Sequence, residues 1–155
     1  MDKEDIICKL PNLEHDESFQ TIQMSPEDPD YNCIAWAYQM LKNRWMEPNS
    51  GIEQELDAVY WWPDDAEEGY SPDCLKDVFV KGGFVECESW EHEDGYIKVA
   101  LYEKDGEWTH ASRECLTKRS WMSKLGEHND IYHDNPCSVE GEEYGKAFCF
   151  LKKKV

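Results

Sequence analysis

The sequence predicts a single α+β domain, with helices first and an antiparallel meander after them. Three observations carry this. The length, 155 residues, suits one hydrophobic core. Two segments with helical apolar spacing and cap signals lie before residue 83. From residue 84 the apolar pattern switches to period two, with a hairpin signal at Lys104-Asp105-Gly106. Helices followed by a run of strands belong to the α+β class rather than to alternating α/β. The whole of 1–155 is read as one domain, an irregular segment over 1–29 followed by a core over 30–155.

Pro11, Pro26 and Pro29 break any long element before Asp30. Asp30 and Asn32 then precede CIAWAYQMLKNRW, where Ile34, Ala37, Met40 and Leu41 recur at helical spacing. The spacing predicts a helix over about 33–44. Residues 45–70 read as an irregular excursion. Ser71-Pro72-Asp73 opens a second helix that Gly82-Gly83 ends. Strands are expected over 84–90, 96–103, 107–115, 119–125 and 145–153.

Composition excludes several functions. Against 34 acids stand 16 Lys and Arg, a formal charge of −18, and phosphate backbones need the opposite sign, so nucleic acid is not an expected partner. Aromatic residues are 13% of the chain, too many for an acidic disordered segment. No apolar run approaches the length of a membrane span, and MDKEDIICKL is too charged for a signal peptide, so the expectation is a soluble cytoplasmic protein without membrane contact. The seven cysteines are odd in number, scattered and without a CxxC pair, which points to a reducing compartment.

The negative charge is uneven. Residues 1–95 hold 24 acids and 6 bases, whereas 96–155 hold 10 of each. Much of the excess lies in SPEDPD (25–30), WPDDAEEGY (62–70) and ESWEHED (88–94), which read as solvated loops. The sharper reading is an acidic surface for a basic partner.

Two residues point to chemistry. Cys33 falls in the first turn of the expected first helix, where unpaired N–H groups and the helix dipole favour a thiolate. Cys74 is the nearest rival, but Asp73 and Asp77 oppose a thiolate there. His110 sits mid-strand in Trp108-Thr109-His110-Ala111-Ser112-Arg113, and a strand imidazole facing a helix N-terminus is placed to take a thiol proton. His15, His92 and His128 fall in acidic or polar loops, and His133 near a turn. His128, His133 and Cys137 lack a fourth zinc ligand, and neither a calcium loop nor a phosphate-binding glycine loop is present, so no metal or other cofactor is expected.

YNCIAWA, IKVALYEKDGEWTHASR and WMSKLGE together resemble the compact bacterial papain-like (NlpC/papain-type) cysteine hydrolases. More narrowly they resemble an uncharacterised family with NCIAWA, HAAR-like and SKLG-like segments and a late YG, here 32–37, 110–113, 123–126 and Tyr144-Gly145. The resemblance implies a papain-like fold with Cys33 as nucleophile and His110 as general base. It maps Ser123 onto the position of the residue that orients the histidine, with Glu127, Asn129 and Asp130 as alternatives. The oxyanion hole would use the Cys33 N–H with a side-chain donor, Asn32 or Gln23. In the NlpC branch the strand resembling KVALYEKDGEWTHAS opens on the catalytic histidine, where this chain has Lys98; the papain arrangement gives the base role to His110 instead.

Such a pair performs acyl transfer on an amide of a peptide, protein or smaller molecule: hydrolysis, deamidation or transamidation. The acidic first segment favours a basic substrate, while Arg113, Lys118, Arg119 and Lys124 are candidate carboxylate contacts. The alternative expectation is a catalytically inactive acidic binding protein, such as a toxin antidote, that sequesters a basic partner.

Overall fold

A computed structural model gives a seven-stranded antiparallel sheet with an apolar layer on each face. The structure describes residues 2–21, 33–34, 37, 44–46, 59–61, 66–67, 69–125 and 130–155, with only the backbone of 44–46 and 59–61. Elements in chain order are α1 (Lys3–Lys9), a 3₁₀ turn (Pro11–His15), β1 (Gln20–Thr21), β2 (Arg44–Met46), β3 (Val59–Trp61), α2 (Pro72–Lys81), β4 (Val85–Cys87), β5 (Tyr96–Lys104), β6 (Glu107–Cys115), β7 (Ser120–Lys124), β8 (Asp130–His133), a second 3₁₀ turn (Pro136–Val139) and β9 (Lys146–Lys154). Cys33, Ile34 and Ala37 have helical backbone. The strand order is β1-β8-β7-β6-β5-β9-β4, so the last strand returns between β5 and β4.

The α+β expectation holds, and five elements follow it closely. Ser71 caps α2 by accepting from the Cys74 N–H, Pro72 occupies its first turn, and Gly82 ends it. Asp105 and Gly106 both have positive φ, 53° and 82°, making the two-residue hairpin between β5 and β6. Strands β7 and β9 lie within their expected ranges to a residue.

Other expectations need correction. The segment before residue 30 is not wholly irregular: α1 precedes Pro11 rather than containing it, and Asp2 and Asp5 form a reciprocal capping box at its start. Its Ile6, with Leu10 and Leu13 beyond it, is buried. The first expected helix does not reach residue 44, because Arg44–Met46 pairs in parallel with Val59–Trp61 inside what was expected to be an irregular excursion. Val, Tyr and Trp there suit extended backbone. The expected strand over 84–90 is short, Val85–Cys87, and β8 was not expected at all.

The two apolar layers are chemically distinct. On one face of the sheet α2 and Cys33, Ile34 and Ala37 pack against Val99, Leu101, Ala111 and Leu151. On the other, Ile6, Leu10, Leu13 and Val139 pack against Ala100, Tyr102, Trp121 and Ile131. The Tyr102 hydroxyl is buried within this second layer; it donates to the Pro136 carbonyl (2.7 Å) and accepts from Ser112 Oγ (2.9 Å). Two bulges bend the sheet beside Tyr102: register passes over Thr109 on β6 and over Phe148 on β9. Among the described residues no helix is long and apolar enough to cross a membrane.

Gly145 makes this end of the sheet possible. Its φ is +76°, and a Cβ there would lie 1.9 Å from the Glu103 carbonyl oxygen. A methyl group must therefore push β5 and the Tyr144–Gly145 turn apart. Gly145→Ala is expected to cost about 2–4 kcal/mol in urea unfolding, whereas Gly95→Ala, with positive φ but open space, is expected to cost about 1 kcal/mol. Equal losses would contradict the close approach.

Candidate functional site

The antiparallel register of β6, β7 and β8 lines three polar side chains along one face of the sheet. His110 pairs with Tyr102, Ser123 with Ile131, and His133 with Trp121, and these apolar partners belong to the α1-side layer. His110, Ser123 and His133 are each fully buried, at 0% exposure. Buried polar groups need partners, and here they supply one another.

The chain of hydrogen bonds fixes every proton in it. His133 Nδ1 lies 2.9 Å from the Asn135 carbonyl, which only accepts, so Nδ1 carries the hydrogen and Nε2 of the neutral ring is an acceptor. Ser123 Oγ is 2.8 Å from that Nε2 and therefore donates to it. The same oxygen lies 3.0 Å from His110 Nε2 and accepts from it. His110 Nδ1 is thus left as a bare lone pair, and it has no hydrogen-bond partner among the described residues.

Electrostatics agree with neutral rings. Burial pushes His110 down to about 3, with the neighbouring His133 adding to the shift, and burial pushes His133 down to about 4. Tyr144 closes the site: its ring stacks on His110 with centroids 4.0 Å apart and planes 10° apart. The Tyr144 carbonyl accepts from Thr109 Oγ1, the bulged residue, and Gly145 holds the turn against β5. Burial raises the Tyr144 hydroxyl well above its ordinary range, with Cys33 and Glu143 adding to the shift.

Cys33 itself lies in the α2-side layer, 7% exposed, while His110 points from the opposite face. The bulge at Thr109 is what relates the two layers. Trp108 and His110, two residues apart, would share a face in a regular strand, yet Trp108 packs in the layer of Cys33. Cys74, the rival thiol, is buried in the same layer, and all seven cysteines are free thiols.

Of the residues singled out in the sequence, the structure brings His110 and Ser123 into direct contact and leaves Cys33 in the other apolar layer, within electrostatic reach of Tyr144. Gln23, Asn32, Glu127 and Asn129 lie outside the described residues. Asp130 sits opposite Lys124 in register, out of phase with Ile131 and His133 and so on the other face. Lys98 donates to the Ser89 carbonyl (2.7 Å) and lies 3.9 Å from Glu93. Arg113 donates to the Ala37 carbonyl (2.9 Å), tying the Cys33 segment to β6. His133, which the sequence places near a turn, is a core histidine; its position two residues after Ile131 in Asp130-Ile131-Tyr132-His133 is the period-two signal that puts it on the face of that apolar residue. Both its ring nitrogens are occupied, and among the described residues no three His, Cys, Asp or Glu side chains gather as a metal site.

The histidines make stability pH-dependent. Unfolded, each takes up a proton near pH 6.5; folded, they resist it to about 3 and 4. The unfolded state binds more protons between these limits, so their contribution is fully present above about pH 6.5 and is lost as pH falls. Two groups give a slope of up to about 2.7 kcal/mol per pH unit. Urea unfolding of His133→Gln between about pH 5 and 6.5 is expected to show a slope shallower by up to about 1.4 kcal/mol per pH unit. An unchanged slope would contradict a neutral buried His133.

Comparison with known proteins adds one finding. No curated protein and no solved structure matches the chain. A family model described as a domain of unknown function, DUF7689, matches residues 22–152, which include Cys33, His110, Ser123, His133 and Tyr144. The chain therefore belongs to the DUF7689 family.

Proposed function

We propose that the protein is a papain-like cysteine hydrolase or acyltransferase acting on an amide, with Cys33 as nucleophile and His110 as base. The observation that carries this reading is the bare His110 Nδ1 at the end of a fully assigned hydrogen-bond chain. A purely structural histidine in a core uses both nitrogens, as His133 does. Leaving one unpaired costs stability, about 1–3 kcal/mol, and a proton-accepting role accounts for that cost.

The chemistry follows from the geometry. Ser123 and His133 hold the imidazole in the tautomer with Nδ1 free. The Cys33 thiol gives its proton to that nitrogen as sulfur attacks the carbonyl carbon, and the Cys33 N–H serves as an oxyanion donor. The imidazolium returns the proton to the departing nitrogen. Water or an amine then takes the acyl group from sulfur. Because burial disfavours the imidazolium, the resting pair is neutral thiol and neutral imidazole rather than a standing ion pair. The reading requires Sγ and Nδ1 to meet within about 4 Å at the bulged end of the sheet, beside Tyr144. A basic or amide substrate in the cytoplasm suits the acidic first segment.

The burial of Cys33 among Ile34, Ala37 and α2 favours a second reading, an inactive acidic protein that binds a basic partner. Alkylation separates the two. At about pH 7.5, with His110 Nδ1 accepting the thiol proton as sulfur attacks, iodoacetamide is expected to label Cys33 of the folded protein at least about tenfold faster than buried Cys74 or Cys149, and His110→Ala is expected to remove that advantage. Protection of Cys33 until unfolding would overturn the enzyme reading.

A further inference from the structure

On the Cys33-side face of the sheet, away from the histidines, lies a cavity of about 150 Å³ lined by Ser18, Gln20, Lys118, Ser120 and Tyr132. The register explains how they meet. Gln20 pairs with Tyr132, Tyr132 with Met122, and Ser120 follows two residues before Met122, so their side chains share a face. Ser120 is 5% exposed, and its Oγ finds no hydrogen-bond partner among the described residues. A hydroxyl buried without a partner destabilises the fold, so its retention calls for a partner from outside.

The other lining groups indicate what that partner is. Lys118, an exposed lysine, has its Nζ 4.8 Å from the Tyr132 ring centroid and brings a cation to the cavity's rim. Burial, with Cys115 and Asp130 nearby, raises the Tyr132 hydroxyl, which stays a donor. Gln20 adds an amide donor. Ser18 is already committed, donating to the Asp134 carboxylate. One ammonium and neutral donors suit a monoanion; a phosphate draws on bidentate Arg or a nest of backbone N–H groups. The volume, about five waters at about 30 Å³ each, admits an anionic head with a few further atoms.

We propose that this cavity is a carboxylate-binding site, in which Lys118 supplies the countercharge and Ser120 and Gln20 donate to the carboxylate oxygens. The site does not depend on Cys33 or His110 being catalytic.

The test is an amide ¹⁵N–¹H titration of the full chain with acetylglycine, acetylglycine methylamide and inorganic phosphate as probes. Acetylglycine is expected to give saturable shifts at Ser120 and Tyr132, with no comparable response to the methylamide. Lys118→Gln and Ser120→Ala are each expected to weaken binding at least about fivefold. Ser120→Ala should keep or raise the Tm without ligand, since it removes an unpaired hydroxyl. The proposal is overturned if the methylamide binds as well as the acid, if phosphate saturates the same signals at lower concentration, if neither variant alters the curve, or if Ser120→Ala lowers Tm.

Discussion

The buried run from His110 through Ser123 and His133 to the Asn135 carbonyl constrains more of this protein than any other interaction. It crosses three neighbouring strands on one face, so it forms in a single register. A slip of one residue in β7 would turn Ser123 to the opposite face and leave Nε2 of both histidines unpaired in an apolar layer, and a slip in β8 would carry His133 itself away. The network therefore specifies the pairing of the sheet while depending on it. Trp121 and Ile131 pack on the same face and tie that register to hydrophobic burial.

A second constraint acts at the end of the sheet where Thr109 and Phe148 bulge. There Gly145 approaches the Glu103 carbonyl, Thr109 holds the Tyr144 carbonyl, and the Tyr144 ring is laid on His110. The local choices are linked: the glycine permits the turn, the turn delivers the ring, and the ring covers the imidazole. Tyr144, stacked on His110, is also within electrostatic reach of Cys33 in the other layer. The enzyme reading places its chemistry at that junction. The binding reading makes the same junction a structural seam and looks to the acidic loops instead.

Much of this fold was legible in the residues. Lys104-Asp105-Gly106 announced its hairpin because only that turn chemistry accepts two positive φ values, and Ser71-Pro72 with Gly82-Gly83 bracketed α2 for equally local reasons. His110 and Ser123 were legible as partners through the resemblance of their segments, and their contact is direct. What escaped depends on tertiary context. The capped helix α1 has seven residues shortly before a proline, too few for periodicity to announce. The four-residue β8 is too short for its alternation to announce a strand, and its histidine is meaningful only once β7 lies beside it. The two-layer separation of Cys33 from His110 was not legible either, because strand alternation says which residues share a face but a bulge resets the count. Lys98 shows the converse: at a position the resemblance compares with a histidine, its ammonium is absorbed by Ser89 and Glu93.

The central claim is that His110 is neutral with its proton on Nε2 and a free lone pair on Nδ1. Long-range ¹⁵N–¹H correlation of the histidine rings in uniformly labelled protein measures this directly. Between about pH 5 and 8 the account predicts an unprotonated-type Nδ1 signal and a protonated Nε2 signal for His110, neither moving with pH. A His110 that titrates near pH 6.5, or that carries its proton on Nδ1, would contradict it.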